Sequence, residues 1–546
     1  MSASAAEPGP PPCPAGAIAL FGGGFDLDPD GTYQQLRAHG PVTPVRLTAD
    51  AWGWLVIGDH EVQQVLANAD GAWTSDSRRW HGWPLSGSPL PGPLRDMTHR
   101  LSSRFSDGPS RSRLATPLEQ ALAELDPQTT VHYLARIADE DIETFAGQGA
   151  ADLVSEYAHR LSPRVMMGLL GMTERYAAGI SVALDNLTAP EHADRGHRRL
   201  TELLLQLVRE KRAIPGPDLV SWIITHGPDL SDTEVGEQAR LLMSAGISTT
   251  NGLLRSALAA LLTDAGLRRA VQQGYRSIAD VTTQVLAKTP PLSEIFGRVA
   301  TRPTRMGNTD IAAGDLVIIS LAGAAADPST AGRAVDATTA WGVGEHRCPP
   351  AARDLALMIV HTSVMRLLHH LPDITLALPT DQLAWSTKNG IRSVDALPVQ
   401  FQRVRQMLVD GEVTFLPPAT FTTTPAPLDV AQASKPAPDR PDAQALLNGL
   451  LEGYLVTDKP YPSPLPAELA DWHGYTRYGG HIILVVLDDG ELADHPSRPD
   501  LEANLFPAAV RTVLREGWRL VDGFVVCKLP IDPWNGVVTP ETDFER

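Results

Sequence analysis

Cysteine is scarce in this chain, since its 546 residues include only three, at positions 13, 348 and 527. So few thiols cannot form a disulfide framework, which excludes the small disulfide-rich class of secreted protein. Long apolar runs are also lacking, because the longest, "LVIISLAGAAA" and "HIILVVL", are far too short to span a bilayer. The first residues have no charged start and no sustained apolar stretch, which argues against a secretory signal. Together these absences predict a cytoplasmic protein.

Basic residues are in the minority: 46 lysines and arginines stand against 64 aspartates and glutamates, for a formal net charge of -18. So acidic a chain has no general affinity for nucleic acid or for an anionic membrane, and we expect neither as a partner. An apolar fraction of 43% and a charged fraction of 20% are typical of a globular protein. Because 546 residues exceed what one hydrophobic core usually supports, we expect two domains.

The domain organisation is clearest near residue 417. Residues 417–442, "PPATFTTTPAPLDVAQASKPAPDRPD", are rich in Pro, Ala and Thr and have no apolar period, which predicts an extended linker. This linker separates a large domain, residues 17–416, from a small domain, residues 443–546. Residues 1–16 predict a flexible N-terminal arm.

Helical periodicity dominates the large domain. Apolar residues recur at spacings of three and four in "HRRLTELLLQLVREKRA" and in "EVGEQARLLMSAGISTTNGLLRSALAALLTDA", whereas β-rich runs such as "AWGWLVIG" are fewer. This domain is therefore predicted to be mainly α with minor β. In the small domain, "AQALLNGLLEGYLV" and "LEANLFPAAVRTVLREG" predict helices, and "HIILVVLDDG" and "WRLVDGFVVCKLP" predict strands. The pattern indicates a small α+β domain of unknown role.

Three short motifs carry little functional weight. "DLDPDG", residues 26–31, copies the start of a calcium loop, but Arg37 stands where the bidentate glutamate is needed, so a turn and helix start explain it better. "FGGGFD" lacks the third glycine of a dinucleotide loop and the Gly-Lys-Ser/Thr of a phosphate loop. His369 and His370 precede "LPD" at a predicted helix end, where a cation is ordinary.

The stretch "WGVGEHRCPP" places a rare cysteine just before the apolar helix "AARDLALMIVHTSVMRLL". A free cysteine is by default a small apolar core residue. Here, however, Trp341, Gly342, Gly344, His346 and Cys348 follow the pattern aromatic-Gly-x-Gly-x-His-x-Cys. This pattern resembles the haem-binding loop of the cytochrome P-450 superfamily, and the resemblance extends over nearly the whole large domain. It implies the cytochrome P-450 fold, with haem b as cofactor.

In that family the two glycines let the backbone turn tightly around the sulfur, and the thiolate binds haem iron at a helix N-terminus. The resemblance thus makes Cys348 the metal ligand. Arg298, in "PPLSEIFGRVAT", stands where many members bind a haem propionate. The usual His-x-x-x-Arg corresponds to Arg111 and Ala115. Arg111 or Arg113 could still pair with a propionate, since a guanidinium matches a carboxylate fork, although an exposed arginine is the alternative.

"LLMSAGISTTNGLL" resembles the long central helix of the family, where Ala/Gly-Gly-x-acid-Thr-Thr crosses the oxygen-binding face. Gly246, Thr249 and Thr250 match that pattern. Thr249 supplies the alcohol, but Ser248 replaces the acid that helps to relay protons. A serine can order water but cannot act as a carboxylic acid, and its alternative role is a hydrogen bond back to the preceding helical turn.

The family's Glu-x-x-Arg pair is also missing, because Gln284 and Ala287 occupy its positions. Losing both charges together leaves no unpaired ion, so the fold can survive while the haem loop is braced differently. Pro350 stands where the family has a glycine after the cysteine, and proline is acceptable in a first helical turn. These departures resemble those of atypical actinobacterial members that lack the pair.

Two classes of function follow, and the sequence leaves both open. The first is a haem-thiolate, monooxygenase-like oxidoreductase acting on a small, largely apolar molecule in specialised metabolism. Within this class, chemistry driven by peroxide or by iron as a Lewis acid would make the acid dispensable. The second class is a non-catalytic relative that serves as partner or scaffold for another biosynthetic enzyme.

The sequence also restricts the source of electrons. An iron-sulfur donor needs about four cysteines and a flavin or nicotinamide domain needs a glycine-rich loop, and the small domain has neither. A monooxygenase would then need a separate ferredoxin and reductase. A protein partner bound through residues 443–546 is the default expectation for the small domain.

Overall fold

The structure is a computed structural model that describes residues 13–14, 17–20, 23–48, 51–83, 92–188, 192–330 and 338–403, and the backbone of eight short strands beyond them. The chain divides into two compact units, Met1–Leu416 and Pro417–Arg546. The predicted linker and most of the predicted N-terminal arm lie outside the described residues, so these segments stay predictions.

The first unit is mainly α-helical, which confirms the predicted class. Its helices are α1 (Gly23–Leu27), α2 (Pro29–Arg37), α3 (Asp59–Ala67), α4 (Gly108–Ala123), α5 (Pro127–Ala146), α6 (His159–Leu169), α7 (Glu174–Thr188), α8 (Ala193–Ala213), α9 (Leu219–His226), α10 (Asp232–Thr263), α11 (Ala265–Gln272), α12 (Ile278–Lys288), α13 (Leu321–Ala325) and α14 (Pro350–His370). A π-helical segment, Leu153–Ala158, leads into α6. Among the described residues, no helix is long and apolar enough to cross a membrane.

The strands of this unit are short. They are β1 (Ile18–Ala19), β2 (Val42–Arg46), β3 (Trp52–Val56), β4 (Trp73–Thr74), β5 (Ala150–Asp152), β6 (Glu294–Ala300), β7 (Thr304–Met306), β8 (Thr309–Ile311), β9 (Leu316–Ser320), β10 (Thr375–Leu376), β11 (Trp385–Lys388), β12 (Ile391–Val394), β13 (Pro398–Gln400), β14 (Arg405–Val409) and β15 (Glu412–Leu416). Six of them form one sheet in the order β1-β2-β3-β9-β6-β4. β6 pairs antiparallel with β9, and this pairing sets Arg298 opposite Val317.

Both faces of the six-stranded sheet are buried. Because successive side chains of a strand point to opposite faces, Leu55 and Ile318 join one apolar cluster while Val56 and Ile319 join another. The first cluster includes residues of α2 and the second includes residues of α3. The sheet is therefore held rigidly between helices, and β6 carries Arg298 on this fixed support.

α10 is the longest helix of the described residues, at 32 residues. It begins with a capping box, in which the Ser231 hydroxyl accepts from the backbone of Glu234 and the Glu234 carboxylate accepts from the backbone of Ser231. It packs against α6, α8, α12 and α14. α10 therefore runs through the main apolar core, and the other helices are arranged around it.

The second unit contains β16 (Trp472–Tyr478), β17 (His481–Leu487), β18 (Arg519–Val521), β19 (Phe524–Leu529), β20 (Ile531–Asp532) and β21 (Gly536–Val537). Four of these strands form a sheet in the order β16-β17-β19-β18. A strand forms at "HIILVVL" as predicted, whereas the single strand predicted over "WRLVDGFVVCKLP" is two antiparallel strands, β18 and β19, and β16 was not predicted. β17 and β19 are parallel, an arrangement that needs a long crossover connection, and one predicted helix falls within that connection. Both predicted helices lie outside the described residues.

The calcium-like motif forms a turn and a helix start, in agreement with its interpretation. The Asp28 carboxylate caps α2 by accepting from the Gly31 amide at 2.9 Å. The Asp26 carboxylate accepts from the Thr387 amide at 2.8 Å. Both carboxylates are thus hydrogen-bonded to the backbone.

A carboxyl group is buried where α2 meets β6. Glu294 is 1% exposed, and one of its oxygens accepts a 2.5 Å hydrogen bond from the Tyr33 hydroxyl. The other oxygen accepts from the Ser293 hydroxyl at 2.5 Å. Burial raises the pKa of Glu294 to about 6, although both hydrogen bonds act in the opposite direction. The ionised carboxylate is therefore less favourable in the folded chain than in water.

This raised pKa predicts how stability depends on pH. Because the pKa of Glu294 rises from 4.5 to about 6 on folding, its contribution is fully present below pH 4.5 and is lost as the pH rises through 6. We expect the free energy of unfolding of the native chain, relative to Glu294→Gln, to fall by about 2 kcal/mol between pH 4.5 and pH 7. Urea unfolding of both proteins across this range measures the difference. Parallel stability curves would contradict the prediction.

Candidate functional site

The loop before α14 makes two turns that only glycine adopts easily. Gly342 and Gly344 have φ values of 77° and 76°, in the left-handed region. At Gly344 a side chain would also collide, because a Cβ would lie 2.7 Å from the carbonyl oxygens of Leu66 and Ala67. The loop therefore passes directly against the end of α3, and the second glycine is required by both conformation and space.

These turns bring Cys348 back against the start of the loop. The Cys348 amide donates to the carbonyl of Trp341 at 2.8 Å, and α14 begins two residues later at Pro350. Trp341 packs against the main apolar core. Burial raises the pKa of the Cys348 thiol to about 11, while Arg353 acts in the opposite direction. The side chain is a neutral thiol unless a metal ion binds the sulfur and displaces the proton.

α10 has an open stretch in its middle. Ser244, Ala245 and Ser248 are exposed, although the helix runs through the core and Met243 and Thr250 on its other sides are buried. An exposed face within a central helix indicates a cavity beside it. Small side chains line this face, so a ligand can approach the helix closely.

Gly246 has a packing role in this stretch. A Cβ there would lie 2.3 Å from the sulfur of Met166. The glycine therefore lets α6 pack closely against α10. The sequence resemblance implied that Gly246 contacts the cofactor. Its packing against Met166 is a separate reason for a glycine at this position.

The hydroxyl groups of the central motif differ in their hydrogen bonds. Thr249 donates to the carbonyl of Ala245 at 2.6 Å. Ser248 is exposed, and within the described residues its hydroxyl has no hydrogen-bond partner. Thr250 is 3% exposed. The bond back to the preceding turn is therefore made by Thr249, and the Ser248 hydroxyl is available to a water or a ligand.

His346 lies in a polar cluster. Its Nε2 is 3.0 Å from a carboxylate oxygen of Asp107 and 2.9 Å from the Ser75 hydroxyl, and the Arg111 guanidinium donates to Nδ1 at 3.4 Å. Donation by Arg111 leaves Nε2 as the protonated nitrogen, which can donate to Asp107. Burial lowers the pKa of His346, whereas the Asp107 bond acts to raise it. The imidazole is neutral and held in one orientation.

Arg298 is buried beside this cluster. It is 9% exposed, and in the part of the chain that the structure describes it has no hydrogen bond or ion pair. Burial lowers the pKa of Arg298 to about 10, and Arg104 and Arg111 also act to lower it while Asp107 and Glu345 act to raise it. A buried cation without a paired anion is costly. Arg298, Arg104 and Arg111 face only two carboxylates, those of Asp107 and Glu345. The site therefore has a net positive charge that an anionic group could balance.

Asp107, Glu345 and His346 place possible ligand atoms within 4.8 Å of one another. A metal ion here is disfavoured, because the surrounding arginines repel cations and Asp107 already accepts from His346 and from the Thr74 hydroxyl. These contacts hold the pKa of Asp107 well below its usual range. The charge of the site instead suits an organic group that carries carboxylates. Haem is such a group, because it carries two propionates. The residues present therefore fit the cofactor implied by the resemblance.

The two arginines that the sequence left as alternatives take different positions. Arg111 contacts His346. Arg113 instead forms an ion pair with Glu234 at the start of α10. The structure thus brings Arg111, Arg298, His346 and Cys348 into one region and does not bring Arg113 there.

α12 lacks the family's charge pair but contacts α14 in another way. Gln284 is exposed and Ala287 is partly buried. The Thr282 hydroxyl lies 2.9 Å from Nε2 of His361 on α14, and burial lowers the pKa of His361. A neutral hydrogen bond therefore links α12 to the helix that follows Cys348.

Sequence reasoning missed several groups of this region. Asp107 and Ser75 contact His346, and the charge of Arg104 acts to lower the pKa of Arg298. None of these three residues belongs to the motifs identified in the sequence. Asp107 directly precedes Gly108 and α4, and an aspartate before Gly-Pro is a recognisable helix start. That signal locates the residue but does not reveal its partner.

Comparison with known proteins supplies relatives. No family model matches the chain. It is 28% identical to the cytochrome P-450 monooxygenase PikC of Streptomyces venezuelae over 411 residues, which are 71% of this chain and 95% of the relative. It is 26% identical to the 6-deoxyerythronolide B hydroxylase of Saccharopolyspora erythraea over 397 residues, which are 69% of this chain and 96% of the relative.

Solved structures show the same likeness. The structure of CYP154C4 from Streptomyces sp. W2061 matches with a TM-score of 0.62 at 26% identity, covering 70% of this chain and 97% of that chain. The testosterone-bound CYP154C4 from Streptomyces sp. ATCC 11861 matches with a TM-score of 0.63, also at 26% identity, covering 71% and 98%. Sequence motifs, helical fold and relatives agree, and over 70% of its length the chain is similar to proteins of the cytochrome P-450 superfamily.

Proposed function

We propose that this protein is a haem-thiolate monooxygenase that holds haem b through Cys348. The observation that carries the proposal is Arg298, a buried guanidinium without a paired anion in the described residues, beside the His346 and Arg111 cluster. A haem propionate would supply the missing anion. The glycine turns that set Cys348 before α14 supply the ligand.

The cofactor would be held at two ends by residues of this chain. Cys348 would bind the iron, and Arg298, His346 and Arg111 would bind the propionates through charged or polar hydrogen bonds. When bound, haem would supply the redox chemistry by which oxygen is activated. Gly342 and Gly344 hold the backbone close around the sulfur, and Trp341 fixes the start of the loop in the core.

Proton movement would then depend on hydroxyl groups of α10. The Thr249 hydroxyl donates its hydrogen to the Ala245 carbonyl, so its oxygen is left to accept a hydrogen bond from a water. The Ser248 hydroxyl is exposed on the same stretch and can both donate and accept. Together they can hold a water beside the substrate. They can pass a proton but cannot supply one as a carboxylic acid does.

The substrate that we propose is a small, largely apolar molecule of specialised metabolism. Named relatives support this class, since one is a 6-deoxyerythronolide B hydroxylase and another a vitamin D(3) 25-hydroxylase. Electrons would come from a separate ferredoxin and reductase. The cytoplasmic location and a partner for the small domain stay predictions from the sequence.

The alternative is a non-catalytic partner for another biosynthetic enzyme. The replaced acid at Ser248 and the missing charges at Gln284 and Ala287 motivate it. Stoichiometric haem with substrate-dependent turnover would exclude this alternative.

Removal of the iron ligand tests the proposal directly. The purified protein, reduced under carbon monoxide, is expected to show the red-shifted Soret band of a thiolate-bound haem, and Cys348→Ala is expected to lose that band because the sulfur is gone. Cys527→Ala is the matched control, since it removes a cysteine from the other unit. No haem in the native chain after reconstitution would overturn the proposal.

A restored acid tests how protons reach the site. If oxygen is activated with electrons from a reductase, Ser248→Asp is expected to raise the amount of product formed per oxygen consumed on the order of tenfold. The reason is that the substitution adds a carboxylic acid to the exposed face of α10. Ser244→Asp adds the same charge one turn earlier and is expected to have little effect. Coupled oxygen consumption and product assays measure both variants. Unchanged coupling in Ser248→Asp, together with peroxide-supported turnover, would favour the peroxide-driven alternative.

A further inference from the structure

Two prolines directly follow the proposed iron ligand, and the function described above makes no use of them. Pro349 is the N-cap of α14 and Pro350 is its first residue. The first amides of a helix have no intrahelical acceptor, and they point out of the helix at its N-terminus. There they stabilise a negative charge by donating hydrogen bonds to it. Because proline has no N–H group, the two prolines change what a sulfur at position 348 receives.

Most of the other amides of this turn are occupied. The Cys348 amide donates to the Trp341 carbonyl at 2.8 Å, and the Arg353 amide donates to the Pro349 carbonyl at 3.0 Å. In the described part of the chain, only residues 351 and 352 of this turn keep an amide without an acceptor. Of the four free amides with which a helix normally starts, α14 therefore offers only two.

The described residues give the sulfur little other support. Among them, no hydrogen bond to the Cys348 sulfur is formed. Two charged side chains act on the pKa of the thiol in opposite directions, since Arg353 lowers it and Asp354 raises it. These two side chains also pair with each other at 3.3 Å. A thiolate at this position would therefore keep most of its negative charge.

We infer that Pro349 and Pro350 withhold two hydrogen bonds from the Cys348 sulfur, which makes it a stronger electron donor to haem iron and lowers the reduction potential of that iron. This inference rests on the proposed function. Hydrogen bonds to a cysteine ligand draw electron density from the sulfur, and they are among the factors that set the potential of iron centres. An electron-rich thiolate also favours cleavage of the oxygen-oxygen bond. The two prolines therefore offset part of the loss of the acid that Ser248 replaces.

Restored amides test the inference. Pro350→Ala and Pro350→Val each add one N–H group at the start of α14, and Pro350 is exposed, so neither substitution removes a core contact. We expect each to shift the equilibrium for one-electron reduction about tenfold toward the reduced state, which corresponds to about 59 mV in midpoint potential. Spectroelectrochemical titration of the full-length, haem-loaded protein measures this potential. Equal shifts in the two variants assign the effect to the N–H group and not to the side chain.

Two further variants test the sign and the location of the effect. Ala351→Pro removes one of the two remaining amides at a position where a helix tolerates proline, and we expect a shift of about tenfold in the opposite direction. Pro127→Ala makes the same change as Pro350→Ala at the exposed first residue of α5, and we expect it to leave the potential unchanged.

The infrared stretching frequency of carbon monoxide bound to the reduced protein is a second readout. Weaker donation by the sulfur leaves less electron density for the iron to return to carbon monoxide. We therefore expect the frequency to rise in Pro350→Ala and to fall in Ala351→Pro.

An unchanged or lowered potential in both Pro350 variants would overturn the inference, as would an equal rise in Pro127→Ala. If Ala351→Pro does not hold haem, the Pro350 variants and their control still decide the sign. Native protein that holds thiolate-bound haem while its variants show no shift overturns this inference alone. Absence of haem from the native chain instead overturns the proposed function.

Discussion

The hydrogen bond from the Cys348 amide to the Trp341 carbonyl closes the loop on which the site depends. It joins residues only seven positions apart, so the backbone between them must reverse sharply, and the left-handed conformations of Gly342 and Gly344 make that reversal possible. The sulfur is thereby set at the foot of α14. α14 in turn packs against α5 and α10, so the position of one thiol is tied to the main core.

The missing Glu-x-x-Arg pair shows how that loop can be supported without buried charge. A buried ion pair gains Coulomb energy but loses hydration, and replacing both partners together is often neutral or even stabilising by about 1–4 kcal/mol. In this chain the Thr282 hydroxyl and His361 link α12 to α14 through a neutral hydrogen bond. Because burial keeps His361 uncharged, this link adds no unpaired ion to the core.

Much of this arrangement is predictable from local sequence. Periodicity predicted a helix over residues 234–265, close to the observed α10, and the resemblance of residues 341–348 to the haem-binding loop of the cytochrome P-450 family identified the loop around Cys348. The contact between His346 and Asp107 joins residues 239 positions apart, so no local pattern could reveal it. Arg111 and Arg113 stayed alternatives for a geometric reason. Residues two apart on a helix point in nearly opposite directions, and the rotation of α4 decides which one meets His346.

The distribution of polarity along α10 restricts the chemistry of the whole site. From residue 241 to residue 254 the helix has no ionisable side chain, and its cavity face there consists of small residues and hydroxyls. The charges nearest along the helix on its N-terminal side are Arg240 and Glu237, and they already interact with each other. Along α10 itself, a proton that reached Ser248 would therefore pass through hydroxyls and water.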